Sequence, residues 1–294
     1  MNLSWLFIGI MLLVQQVNPP DSLVITKGGQ PVSTIKRTDF SFAYPGLPIL
    51  DPQKYDQLLN RLDKDFSSPP VNARLDIHGR IIPERVGFQI HRQVFTEQFY
   101  GYFFNNRSSK LEIPMLTVYP KVDSELLGDI RSKRIGRYIT SFNTSNKKRT
   151  NNIKLAVEAI NNYVVFPGET FSFNRVVGKR TAAKGYLKAK VIVRGEYAED
   201  IGGGICQVSS TLFNAVDNAG LTIIQRFSHS RKVPYIPPGR DATVSWYGPD
   251  FVFKNKYNQP VLIQAKTLGN LVIIKLYSSD VVEYTPKLVP SPSF

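Results

Sequence analysis

The chain reads as an α+β protein with a mainly antiparallel sheet, on three observations. Short runs of β-branched and aromatic residues recur through its second half, at 170–174, 188–194, 222–227, 242–247, 251–254, 261–266 and 271–277. The last two flank Gly269-Asn270, the turn chemistry of a tight hairpin. A few further stretches place apolar residues on one stripe behind a capping residue, as helices do.

The elements follow in order. Residues 3–14 are almost unbroken hydrocarbon, followed by Pro19-Pro20. About a dozen apolar residues fall short of the roughly 20 that a spanning helix needs, so 1–18 are expected to be an export signal or a membrane anchor. Residues 19–45 read as a Pro-containing linker. A first module, 46–124, opens with Asp51 as N-cap, Pro52 at the first helical position, and Tyr55, Leu58, Leu59 and Leu62 on one stripe. Residues 71–77 and 80–85 read as a hairpin turning at His78-Gly79, 93–103 as a second helix and 110–119 as another strand. A basic stretch, 131–149, precedes a second unit over 137–278, whose helix at 150–160 carries Ile153, Ala156, Val157 and Ile160 on one face. The last residues, 279–294, contain Pro286, Pro290 and Pro292 and read as an unfolded tail.

The chain has 294 residues, of which 42% are hydrophobic, enough for two cores. Its 37 basic against 23 acidic residues give a net charge of +14, which favours anionic partners such as acidic lipid or an anionic wall polymer. Nucleic acid is disfavoured, because no helix-turn-helix, zinc-knuckle or aromatic RNA-binding pattern is present. No ligand spacing connects His78 and His91, so both are expected to be structural, and neither a metal nor an organic cofactor is expected.

Chemistry concentrates on Cys206. It is the single cysteine, so a disulfide within the chain is excluded. Gly202-Gly203-Gly204 feed into a helix that carries Val208, Leu212, Ala215, Val216 and Ala219 on one stripe and stops at Gly220. A thiol near a helix N-terminus is lowered in pKa by the exposed N–H groups and the macrodipole. Gly203 and Gly204 are expected to let a substrate backbone approach, with N–H groups facing a developing oxyanion.

The base is expected to be His229. A helix from Cys206 to Ala219 climbs about 20 Å, and an extended run from Leu221 to His229 returns about 26 Å, which places both side chains at one end of the domain. Asp241 is the expected orienter of the imidazole, with Asp200 as a second candidate. Arg231 or Arg240 is expected to hold a substrate carboxylate by a two-point contact.

Several motifs carry a resemblance. Phe171-Ser172-Phe173-Asn174, Val177-Gly178-Lys179-Arg180-Thr181-Ala182, the block Gly202 to Leu212, His229-Ser230-Arg231, Pro237-Pro238-Gly239-Arg240-Asp241-Ala242-Thr243 and Asn258-Gln259-Pro260 together resemble the VanW-domain family of exported bacterial proteins, over about 137–277. The first module resembles a peptidoglycan-binding domain that accompanies some cell-wall cross-linking enzymes, on Pro69-Pro70-Val71-Asn72-Ala73-Arg74-Leu75, Ile82-Pro83-Glu84-Arg85-Val86-Gly87 and Pro120-Lys121-Val122. The resemblance implies an extracytoplasmic place at the cell wall, peptidoglycan stem peptides as partners, and L,D-transpeptidase activity. Two rivals remain open at this level. One is a non-catalytic wall-binding or assembly protein in which Cys206 only packs, and the other is a cysteine hydrolase that differs in using water as acceptor.

Overall fold

The structure is a computed structural model that describes residues 22–291, apart from 43, 45–47, 106–109 and 194–195. The expected export segment lies outside the described residues. The architecture is α+β, and the chain folds as two compact units, one containing residues up to Val71 and 85–120, the other 72–84 and everything from Lys121 on.

Strands β1 (Ser22–Lys27) and β2 (Gln30–Lys36) form an antiparallel hairpin, where the sequence suggested a linker. Gly28 and Gly29 both have positive φ, the conformation that a two-residue hairpin turn demands. Helix α1 (Pro52–Phe66) starts where Asp51 accepts hydrogen bonds from the N–H groups of Gln53 and Lys54, and buries Tyr55, Leu58, Leu59 and Leu62. The chain then supplies β3 (Arg74–Leu75) and β4 (Ile81–Ile82), a short hairpin that belongs to the second unit, so the first module is discontinuous rather than one run over 46–124. It returns for β5 (Gly87–Ile90), α2 (Arg92–Asn105), β6 (Lys110–Glu112) and β7 (Met115–Val118). The single strand expected over 110–119 is two, because the chain changes sheets around Ile113-Pro114: β6 pairs parallel to β1 and β7 antiparallel to β5. Phe95, Phe99, Tyr102 and Phe103 of α2 join Leu23, Ile25 and the α1 stripe in an aromatic core.

The second unit continues with α3 (Ser124–Ile130), β8 (Lys133–Ser141), α4 (Lys147–Ile160), β9 (Tyr163–Val165), β10 (Thr170–Ser172), α5 (Phe173–Val177), β11 (Lys188–Val193), β12 (Glu196–Ile201), α6 (Ile205–Asn218), β13 (Thr222–Gln225), β14 (Val252–Lys254), β15 (Val261–Leu268) and β16 (Leu271–Ser278). Its main sheet is antiparallel in the order β8-β16-β15-β9, with β15 and β16 joined at Gly269-Asn270. Helices α4 and α6 share one core with this sheet and bury Ile153, Val157, Val208, Leu212 and Val216. Contact between α6 and β8 is backbone-close. A Cβ on Gly136 would lie 2.5 Å from the Ala215 carbonyl oxygen, so glycine is required there. A smaller antiparallel sheet, β10-β14-β13, and the β11-β12 hairpin complete the unit.

The stretch from 279 is not an unfolded tail as far as it is described. Val282 is buried, Tyr284 and Val289 pack on the core, and the Tyr138 hydroxyl donates to the Pro290 carbonyl at 2.8 Å.

Candidate active site

Helix α6 starts at Gly204, whose φ of +106° is a left-handed geometry that favours glycine. Cys206 is therefore in the first turn. The polar side chains beyond it are buried, and each has a partner. Gln207 donates to Thr140 Oγ1 at 2.9 Å and to the Ser141 carbonyl at 2.8 Å, and accepts from Arg149 at 2.7 Å. Ser209 donates to the Ala242 carbonyl at 2.5 Å, while Ser210 accepts from the Ala242 N–H at 2.9 Å. Asn214 donates to the Arg240 carbonyl at 2.7 Å. These contacts fasten the 240–243 segment along the helix. The stretch 242–247, expected as a strand, is irregular: Ala242 bonds to side chains of α6, while the Thr243 and Ser245 N–H groups donate to the Phe227 and Pro249 carbonyls.

The fastened segment carries Asp241. One carboxylate oxygen, Oδ2, accepts both the His229 backbone N–H at 2.5 Å and the His229 ring Nδ1–H at 2.6 Å. Ring and carboxylate are both buried. Occupation of Nδ1 leaves Nε2 as the ring nitrogen available to the sulfur, and the Cys206 thiol and His229 imidazole act on each other electrostatically. The Cys206 Sγ also lies 3.8 Å from Thr243 Oγ1 and 3.5 Å from the Val244 carbonyl oxygen.

Electrostatics follow from this order. Burial pushes the Cys206 thiol up, but the hydrogen bond and charge of His229, helped by Val244 and Thr243, bring it below the ordinary thiol value. Burial also opposes charge on His229, yet the hydrogen bonds to Asp241 and Cys206 carry its pKa up to about 9. Asp241 resists burial in the same way, and its bonds to His229 hold it below the usual carboxylate value. The arrangement shifts both groups toward the charged pair, thiolate beside imidazolium, relative to the free side chains.

Cys206 and His229 line a cavity of about 1030 Å³. Its lining includes Arg149, Lys179, Arg180, Lys190 and Lys232 against one carboxylate, Asp200, so it is an anion-favouring space.

The family comparison fits this location. The family model described as "VanW like protein" matches residues 148–277. The "Uncharacterized protein YoaR" of Bacillus subtilis (strain 168) is 55% identical over 285 residues, covering 97% of this chain and 94% of that protein. The chain belongs to the VanW family. A second VanW relative, the "Vancomycin B-type resistance protein VanW" of Enterococcus faecalis (strain ATCC 700802 / V583), is 38% identical over 99 residues, 32% of this chain and 36% of that protein. No solved structure matches the chain.

Within the VanW region the structure brings Cys206, His229 and Asp241 together and places the other expected site residues differently from one another. Arg240 does not line the cavity. Its guanidinium is committed to Asn214 at 2.7 Å and Asp217 at 2.8 Å and lies over the Phe213 ring. Arg231 is exposed and is likewise absent from the lining. Asp200 lines the cavity but accepts from its neighbour's N–H, that of Ile201, and does not orient the imidazole. Gly203 serves packing rather than substrate approach. A Cβ there would lie 2.6 Å from the Ala189 backbone of β11, and its carbonyl accepts from buried Asn152 at 3.0 Å. Gly204 does line the cavity.

Sequence reasoning missed Arg149, Arg180 and Tyr235. All three line the cavity, both arginines lie within electrostatic reach of the sulfur, and burial pushes the Tyr235 hydroxyl far above its ordinary value. A signal was present for Arg180, which sits in one of the motifs that carry the family resemblance.

Proposed function

We propose that this protein is a peptidoglycan-modifying cysteine enzyme of L,D-transpeptidase type, acting outside the cytoplasm at the bacterial cell wall. One observation carries the reading: Cys206, in the first turn of a helix, and a His229 imidazole hydrogen-bonded to Asp241 line one cavity and act on each other electrostatically. The Cys206 thiolate attacks the carbonyl carbon of a diaminopimelate residue in a stem peptide. The His229 imidazolium protonates the departing nitrogen, a terminal D-amino acid leaves, and a thioester remains. Neutral His229 then takes a proton from the amine of a neighbouring stem as that nitrogen attacks the thioester, and the sulfur departs as thiolate. The products are a 3–3 cross-link and the starting thiolate–imidazolium pair. Asp241 keeps the imidazole in the tautomer and orientation both steps need. The relative named for vancomycin resistance supports a substrate in the cell wall. The basic surface and the first module supply wall or membrane attachment in this reading.

Incubation with defined tetrapeptide muropeptides tests it by mass spectrometry. The wild type is expected to carry a thioacyl adduct on Cys206 and to yield cross-linked dimers, and Cys206→Ala is expected to abolish both. Equal dimer yield from the variant rejects the role, and tripeptide product without dimers assigns water as the acceptor.

A further inference from the structure

Arg180 has two guanidinium nitrogens without a hydrogen-bond partner. These are Nη1 and Nη2, both buried, while the residue lines the cavity that holds Cys206. A guanidinium offers five donors and does not lose its proton in proteins, so a buried one without an acceptor is costly. The Phe173 ring, 5.9 Å away, offers only a π face. Tyr186, Cys206 and Asp250 act on Arg180 only through their charge, and Asp250 is already engaged by Ser172 and by the backbone N–H groups of Asn174 and Phe251.

A second guanidinium lies across the glycine loop. Arg149 uses Nη2 on Gln207 and is otherwise packed against Gly204, where a Cβ would come 2.7 Å from its Cγ. A Cβ on Gly202 would come 3.3 Å from the Cβ and Cγ of Arg180. The outer two glycines thus saddle the two arginine stems and fix both charges beside the turn that leads into Cys206.

We propose that Arg180, with Arg149 across the glycine loop, forms a carboxylate-binding subsite that selects acyl donors carrying a free carboxylate beside the carbonyl Cys206 attacks. The anion site stands on the unpartnered guanidinium itself, and its use in choosing an acyl donor rests on the cysteine acyl-transfer reading above. A planar fork matches a carboxylate through two parallel hydrogen bonds. An amide in the same place offers one neutral acceptor and leaves the buried charge uncompensated, so discrimination is built in.

Alkylation of Cys206 in the full chain tests the subsite without any acyl transfer. The thiolate displaces iodide from iodoacetate or from iodoacetamide, which differ only in a carboxylate against an amide, and the ratio of the two rates cancels any change in thiolate fraction. Arg180→Gln is expected to lower the iodoacetate-to-iodoacetamide ratio by about tenfold, and Arg180→Lys to recover part of it. In the wild type, N-acetylalanine is expected to protect Cys206 from iodoacetamide where N-acetylalaninamide does not, a comparison that needs no variant to fold. A ratio unchanged in Arg180→Gln, or equal protection by acid and amide, overturns the subsite. Loss of the ratio in Arg180→Gln from a protein inert toward muropeptides leaves the anion site standing and removes the acyl-transfer reading instead.

Discussion

The two units solve burial in opposite ways. In the first, the core is ring on ring: Phe99 lies within 6.4 Å of Tyr55, Phe40, Phe95, Tyr102 and Phe103, and Thr26 is the one buried polar residue among those described there. In the second, α6 buries Gln207, Ser209, Ser210, Thr211 and Asn214 alongside its apolar stripe. Packing area suffices to hold a binding or spacer module together, and it tolerates hydrophobic exchange of similar volume. A buried hydrogen-bonded network contributes little net stability per bond but fixes positions, which is what a side chain such as Asp241 needs.

Substitutions on each side sharpen the contrast. Phe99→Ala in the aromatic core is expected to cost about 3–5 kcal/mol through lost contacts and a residual cavity, read as a shift of the urea midpoint. Ser210→Ala strips the acceptor from the buried Ala242 N–H and is expected to cost about 1–3 kcal/mol in the same measurement. If the serine costs more than the phenylalanine, the division between packing and positioning fails.

Asp241→Asn has the smallest effect in energy and the clearest one in chemistry. Asp241 raises His229, and the imidazolium lowers Cys206, so the ion pair persists as pH rises until His229 loses its proton at about 9. Without the carboxylate charge His229 titrates lower, the thiol ionises at higher pH, and alkylation at neutral pH is expected to slow about tenfold per unit of thiol shift. An unchanged pH onset of alkylation would detach Asp241 from the sulfur.

Much of this was legible in the sequence where local signals agree. The α1 cap, the α6 stripe and the Gly269-Asn270 hairpin each satisfy pattern and turn chemistry together. Strand β8 was hidden inside a basic stretch, because Ile135 and Gly136 are both buried at a register shift that breaks the alternation continued by Tyr138 and Thr140. The β1-β2 hairpin was obscured by Pro31 and the polar composition of its second strand, although Gly28-Gly29 marked the turn. Pairing of Cys206 with His229 followed from counting rises along a helix and an extended return. The arginines did not, because their place depends on where two glycine Cα atoms touch side chains from remote elements.

The irregular last stretch has a bearing on where this domain ends. Gly220 must be glycine because the Thr285 carbonyl oxygen would sit 1.9 Å from any Cβ there, Asn218 Nδ2 donates to the Lys287 carbonyl at 2.9 Å, and Lys287 Nζ reaches Asp217 at 3.3 Å. Asp217 in turn grips Arg240, next to Asp241. The far end of the cysteine's helix is thereby latched by segments lying past residue 277, where the family match stops. The folding boundary and the boundary of the family match are two different lines in this molecule.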